Sequence, residues 1–385
     1  MGLLLRRARC REDGGWSAPR DVRVEDGVVR PAEGAARGDA EVDLEGRFLL
    51  PALVNAHDVL DLSTLLPLGA PPYASVYEWT RAAEADPGRL AAALAVPLAD
   101  RLFLGGLRNL LAGVGAVLHH HPDHRSLSQD GFPVRVQRRY AFAHSPGLTP
   151  RLRRTYRPTD RRVPWLVRAA EGAEPGLRAE LDALAAANVL RQNTVIVHGT
   201  ALEPEDGARL AAARVSLVWC PESDRRLYGR TAPVGPLRAA GVRVGLGTDA
   251  PPAGARDALT NLAAARREGV LDDAALLRLA TLDSAAVARL APGGLEEGAP
   301  ADFLVAESPE RLLEGDRLAV ALVVVRGEAL YGEPALVGSA GRPVVPLSVD
   351  GTPRALAGHL GRRLATILHR HPAARGASWL SGVAL

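Results

Sequence analysis

The chain has 385 residues, 47% of them hydrophobic, which is enough for one barrel-sized domain with accessory structure and a substantial core. No run of eighteen apolar residues occurs, and the start carries arginines without a signal peptide's apolar run and cleavage site, so a cytoplasmic protein without membrane insertion is expected. The net charge of +3 conceals an asymmetry: lysine is absent, residues 135–168 hold ten arginines against Asp160 alone, and residues 341–385 hold six against Asp350. Arginine clusters of this kind bind phosphates or carboxylates, or dock on an acidic surface of their own subunit or of a neighbour in a homo-oligomer.

The first fifty residues read as short strands with turns, and Asp26-Gly27 between apolar runs is a hairpin cue. From Phe48 onward, strand-like apolar runs at 48–56, 115–119, 134–141, 163–169, 194–198, 215–220 and 242–248 alternate with helical patterns at 90–111, 175–190, 203–213, 234–240 and 257–267. This alternation predicts an α/β fold with a parallel sheet. Seven runs are one short of a closed (β/α)8 TIM-like barrel, and the eighth is expected near 71–79 or in the arginine-rich stretch before Val163. Residues 51–295 have about the length of such a barrel, roughly 250 residues. An open doubly wound sheet is the alternative, but no Gly-x-Gly-x-x-Gly follows the first strand. Strand patterns return at 302–306 and 319–325, so segments 1–50 and 296–340 are expected to form one small split β-sandwich beside the barrel. In the tail, 341–385, Leu356, Leu360, Leu364 and Leu368 recur four apart among arginines, predicting an amphipathic basic helix over 352–371. Few aromatics accompany these arginines, and nucleic-acid binding is not expected.

Active sites of parallel barrels lie at the C-terminal ends of the strands. Four polar residues end apolar runs there: His57, Glu171, His198 and Asp249. Two imidazoles and two carboxylates converging from different strands fit a metal site with a general base, or an acid–base site without metal. Cys10 and Cys220 have no metal-binding or disulfide spacing, so any metal must be held by His and carboxylate.

Several blocks carry a resemblance. They are Leu50-Pro-Ala-Leu-Val-Asn-Ala-His57, Val195-Ile-Val-His-Gly-Thr200, Cys220-Pro-Glu-Ser-Asp224, the stretch 232–241, Val244-Gly-Leu-Gly-Thr-Asp249, the stretch 294–302 and Val323-Val-Val-Arg-Gly327. In them the chain resembles the amidohydrolase superfamily, in particular its chlorohydrolase, guanine deaminase and cytosine-deaminase-like branch, over nearly everything before about residue 340. The resemblance implies hydrolysis of a C–N or related bond in a small polar or heterocyclic substrate, with a zinc or iron ion. It assigns proton shuttling to Glu171, polarisation of the reacting group to His198, and metal binding with water activation to Asp249.

Two departures bear on the metal. The family's His-x-His reads His57-Asp58-Val59, and its His-x-Ala-Glu reads Arg168-Ala-Ala-Glu171, so of four expected ligands only His57 and Asp249 remain. A guanidinium has no lone pair to give a cation. The expectation is that Arg168 takes the metal's electrostatic place, pairing with Asp249 and Glu171, while Val59 fills space no longer needed for coordination. Among His119, His120 and His121 only alternate members can face the barrel axis, and His120, His144 and Asp224 are candidate substrate contacts with Arg168. Cys220 reads as a packing residue. The alternative function is a catalytically silent relative that binds an anionic ligand or an acidic protein surface.

Overall fold

Eight parallel strands surround the centre of the molecule in the computed structural model, which describes residues 2–12, 15–85, 87–156, 160 and 162–385. They are β1 (Leu53–Asp58), β2 (Val114–His119), β3 (Arg135–Val136), β4 (Ala141–Ala143), β5 (Trp165–Ala169), β6 (Thr194–His198), β7 (Ser216–Trp219) and β8 (Arg243–Leu246). Strands β1 to β3 form one hydrogen-bonded group and β4 to β8 another. The last strand returns to the first: Asp58 and Asp249 form a parallel bridge, and the Thr248 and Asp249 N–H groups donate to the His57 carbonyl at 3.0 and 3.2 Å. That return makes a (β/α)8 barrel and removes the open-sheet alternative.

The eighth strand is β4. The apolar run at 134–141 divides into β3, paired to β2, and β4, paired to β5, so the missing strand lies inside the arginine-rich stretch before Val163. Residues 71–79 instead begin with two prolines, which have no N–H for a ladder. They lead into the helix Val76–Glu84, where the Ser75 side chain accepts from the Glu78 N–H.

Strands β1, β2 and β6 are buried along their whole length, as expected of parallel strands covered on both faces. Val54, Ala56, Ala116, Leu118, Leu166, Val195, Val197 and Val218 pack together as one cluster. Each such large aliphatic side chain contributes about 1.5–3 kcal/mol by leaving water. The expected helix over 90–111 is interrupted, and Leu98–Leu111 starts afresh after Pro97, whose ring excludes an i−4 hydrogen bond and pushes Val96 out of helical conformation.

The two ends of the chain share one sheet. Phe48–Pro51 pairs with Phe303–Ala306 in the register Leu50/Leu304 and Leu49/Val305, and also with Leu3–Glu12. The hairpin cue holds: Arg20–Glu25 and Val28–Arg30 pair across Asp26 (φ 53°) and Gly27 (φ 75°), the left-handed pair that a type I′ turn demands. The tail adds strands that its leucine spacing hides. Val344–Val349 and Thr352–Ala357 form a hairpin across Asp350-Gly351, and Leu356 pairs with Tyr331 in the same sheet, so the helix spans Gly358–Arg370 rather than beginning at 352. Its Leu360, Leu364, Ile367 and Leu368 are buried, Arg363 lies over the Phe103 ring at 4.1 Å, and the Trp379 indole donates to the Ser63 carbonyl at 2.9 Å. In the arginine-rich segment, Arg135 pairs with Asp302, Arg138 with Asp123 and Arg139 with Asp160. Among the described residues no helix is long and apolar enough to cross a membrane.

Candidate active site

The C-terminal ends of β1, β5, β6 and β8 bring His57, Arg168 with Glu171, His198 and Asp249 to one place beneath the barrel mouth. His57, Glu171 and His198 are fully buried and Asp249 is 1% exposed, whereas the Arg168 side chain keeps 12% of its surface. His198 (φ 71°) and Asp249 (φ 58°) sit in the left-handed region, which non-glycine residues adopt at a cost, so the backbone turns sharply where each side chain enters the site.

Arg168 is the hub. Its Nε donates to Glu171 Oε2 at 2.9 Å, and its Nη2 faces Glu171 Oε1 at 3.2 Å, His198 Nε2 at 2.9 Å and Asp249 Oδ2 at 2.9 Å. Burial opposes the guanidinium charge, but Asp249 and Glu171 outweigh it and hold Arg168 more firmly protonated than usual. Burial likewise works against ionised Glu171, yet Arg168, His198 and the Tyr228 hydroxyl, which donates to Oε1 at 2.7 Å, pull its pKa below the ordinary value.

The histidine tautomers follow from their partners. A guanidinium only donates, so His198 Nε2 accepts from Arg168 and the ring proton sits on Nδ1, facing Asp224 Oδ1 at 2.7 Å. Burial disfavours charge on His198, but nearby Glu171, 3.6 Å from Nε2, and Asp224 offset both burial and Arg168 and lift its pKa above the ordinary histidine value. Asp224 in turn accepts from Thr231 at 3.0 Å, and the Trp219 indole donates to that threonine at 2.6 Å. On the other side, His120 Nε2 donates to the Ala143 carbonyl at 3.0 Å, which leaves its Nδ1 to accept from His57 Nε2 at 2.6 Å. Burial, and then neighbouring positive groups, drive the pKa of both rings well down, so both are neutral.

These donors do not fit a divalent cation. A metal bridging Asp249 and His198 would fall where Arg168 Nη2 stands, His57 Nε2 is committed to His120, and Val59 is a buried aliphatic residue. Among the described residues no group of three or more His, Cys, Asp or Glu side chains is arranged to hold a metal.

The other residues singled out in the sequence divide. His120 faces inward, whereas His119 and His121 turn toward Asp61: the Leu60 N–H donates to His119 Nδ1 at 3.3 Å, and His121 Nδ1 meets Asp61 at 2.9 Å. This is the alternation that strand geometry requires. His144 stands exposed at the rim, its ring parallel to His120 at 6.3 Å between centroids. Asp224 is fully buried behind His198 and positions that ring. Cys220 is buried, and burial pushes its thiol pKa far up, which suits packing and not nucleophilic attack. Sequence reasoning missed Tyr228 and Trp79. Tyr228 follows Asp224 by four residues on the helix Pro221–Tyr228, a spacing that puts both on one face and could have flagged it. Trp79 covers Arg168, its ring 5.8 Å from the guanidinium carbon, and no sequence signal ties the two.

The comparisons agree with this architecture. The family model described as "Amidohydrolase family" matches residues 166–345. A 5-methylthioadenosine/S-adenosylhomocysteine deaminase of Haloquadratum walsbyi is 42% identical over 62 residues, a match that covers only 16% of this chain and 14% of that protein. Among solved structures, a zinc-bound adenosine deaminase from Xanthomonas campestris is similar at a TM-score of 0.73 and 18% identity, covering 98% of each chain. A zinc complex of atrazine chlorohydrolase from Arthrobacter aurescens TC1 is similar at 0.66 and 19%, covering 96% of this chain and 100% of that one. N-isopropylammelide isopropylaminohydrolase from Burkholderia multivorans is similar at 0.58 and 20%, covering 86% and 98%. The family match runs from β5 into the tail's first strand, and the fold is shared end to end with these structures.

Proposed function

We propose that this chain hydrolyses a C–N or related bond of a small polar or heterocyclic molecule, with the Arg168 guanidinium holding the position of a metal ion. The reading is supported by the likeness to adenosine deaminase and atrazine chlorohydrolase folds and by what Arg168 leaves unspent. Both Glu171 oxygens accept hydrogen bonds, and Asp249 Oδ2 accepts from Arg168. Asp249 Oδ1 accepts none among the described residues, and the neutral His57 ring places its Nδ1 4.0 Å from it. Arg168 Nη1 likewise has no partner there. That free carboxylate oxygen and that free pair of guanidinium N–H groups, on two side chains joined through Nη2 and Oδ2, are the observation that carries the proposal.

In this arrangement Asp249 Oδ1 takes a proton from water as the water oxygen bonds to the substrate carbon, and Arg168 stabilises the negative charge that develops on the substrate. The C–N bond then breaks, and the proton passes from Asp249 to the departing nitrogen. Glu171 and the His198–Asp224 pair hold the guanidinium in place. The test is ammonia or chloride release from a panel of amino- and chloro-substituted heterocycles. Turnover by the wild-type chain should fall by about 10²–10⁴-fold in Asp249→Asn, which keeps the shape but not the base.

Silence of the wild-type chain across the panel would defeat this reading. It would favour a binding protein, a second reading that the saturation of Glu171, Asp249 Oδ2 and His198 Nε2 by Arg168 and Tyr228 supports.

A further inference from the structure

A cavity of about 840 Å³ lies between the sheet shared by the chain ends and the outside of the barrel. It is separate from the barrel mouth: Pro51 lines it before β1 begins, whereas His57 stands at the far end of β1. Small-molecule sites occupy roughly 300–1,000 Å³ and favour the junctions between folding units. One wall is the end of Leu3–Glu12 with Leu50 and Pro51. The other is the helix Asp273–Arg278 and the π-helical turn Leu279–Asp283 that continues it, from which Thr281 and Leu282 line the cavity. Single π turns are rare and occur frequently at functional sites.

Leu50 and Leu277, both buried, and the half-buried Leu282 and Leu295 give the cavity an apolar lining that a hydrocarbon body would cover favourably. Its charges are not equivalent. Arg20 Nη2 faces Glu12 Oε1 at 3.4 Å, Arg278 Nε faces Asp283 Oδ1 at 3.3 Å, and Asp272 accepts from the Ala275 N–H at 2.7 Å. Glu296 is exposed, where water and salt screen it. Arg11 is half-buried with its guanidinium carbon 5.6 Å from the Trp16 ring, and among the described residues no carboxylate pairs with it. A partly buried cation without a counter-ion, beside apolar surface, selects an anion, and the planar fork of a guanidinium suits a carboxylate.

We propose that this cavity binds an amphiphilic carboxylate, with its apolar body against the leucine lining and its carboxylate on the Arg11 guanidinium. The site is independent of the proposed hydrolysis at the barrel mouth. Calorimetric titration of the full chain with decanoate, below its micelle-forming concentration, and with 1-decanol, which has the same chain length and no charge, reads the two parts separately. Decanoate should bind, and 1-decanol should bind at least about tenfold more weakly, the usual loss of a charged hydrogen bond. Arg11→Gln should weaken decanoate by about tenfold and leave 1-decanol within a few-fold of wild type. Ala275→Phe, whose ring projects from the helix wall into the cavity, should weaken both. No decanoate binding, 1-decanol binding as tightly as decanoate, or decanoate binding unmoved by Arg11→Gln or by Ala275→Phe would each overturn the assignment.

Discussion

Arg168 introduces a cation where Glu171 and Asp249 would otherwise be two buried carboxylates facing each other, an arrangement that raises a pKa or destabilises the fold. Removing one partner of a buried pair costs about 3–5 kcal/mol because the other charge stays behind. Arg168→Met should therefore lower unfolding free energy at pH 7 by about that amount in urea titrations. The pH dependence has a definite sign. The folded pKa of Glu171 is depressed, so its contribution is present above the ordinary value of 4.5 and is lost as pH falls below it. The gap between wild type and Arg168→Met should be widest near neutrality and should shrink below that pH; a gap independent of pH would contradict the pairing. The pairing itself was legible from residue types, because an arginine three residues before a glutamate at a strand end can only donate. The commitment of His57 to His120 was not, since it depends on which of three consecutive histidines turns inward.

Among the elements, β1 shows how the site is held from behind. Asp58, one residue past His57, points away from the axis toward the helix Leu98–Leu111, where Arg108 pairs with it and Asn109 donates to it at 2.6 Å. Asn55 donates to Asp58 at 3.2 Å and to Thr248 at 2.8 Å, tying β1 to the end of β8. Arg108 is 1% exposed and Asp58 is fully buried, so either alone would be a stranded charge. Asp58→Asn and Arg108→Met should each cost about 3–5 kcal/mol, and the double variant markedly less than their sum, as a double-mutant cycle by chemical denaturation would measure. Additive costs would mean that the two do not act as a pair. Nothing local in the sequence points to this pair, because the partner of Asp58 lies 50 residues on in another element. Strand β4 was hidden for another reason: three residues, Ala141–Ala143, are too few to show a period.

For the whole molecule, the barrel and the shared sheet of the chain ends were readable because apolar runs of strand length alternate with helical patterns over some 200 residues, and because Leu49-Leu50 and Val305 carry the pairing in their composition. The tail was less so, since the same leucines serve a strand at 356 and a helix from 358. What defines the site is local: a guanidinium at the point where the carboxylate of Asp249 and the imidazole of His198 meet. Zinc content of the purified chain, after loading with excess zinc and desalting, tests that directly when measured beside the variant Val59→His/Arg168→His. The wild-type chain should retain well under one equivalent, and the variant, with both missing imidazoles restored, should rise to about one. About one equivalent in the wild-type chain, lost in Asp249→Ala, would contradict the account.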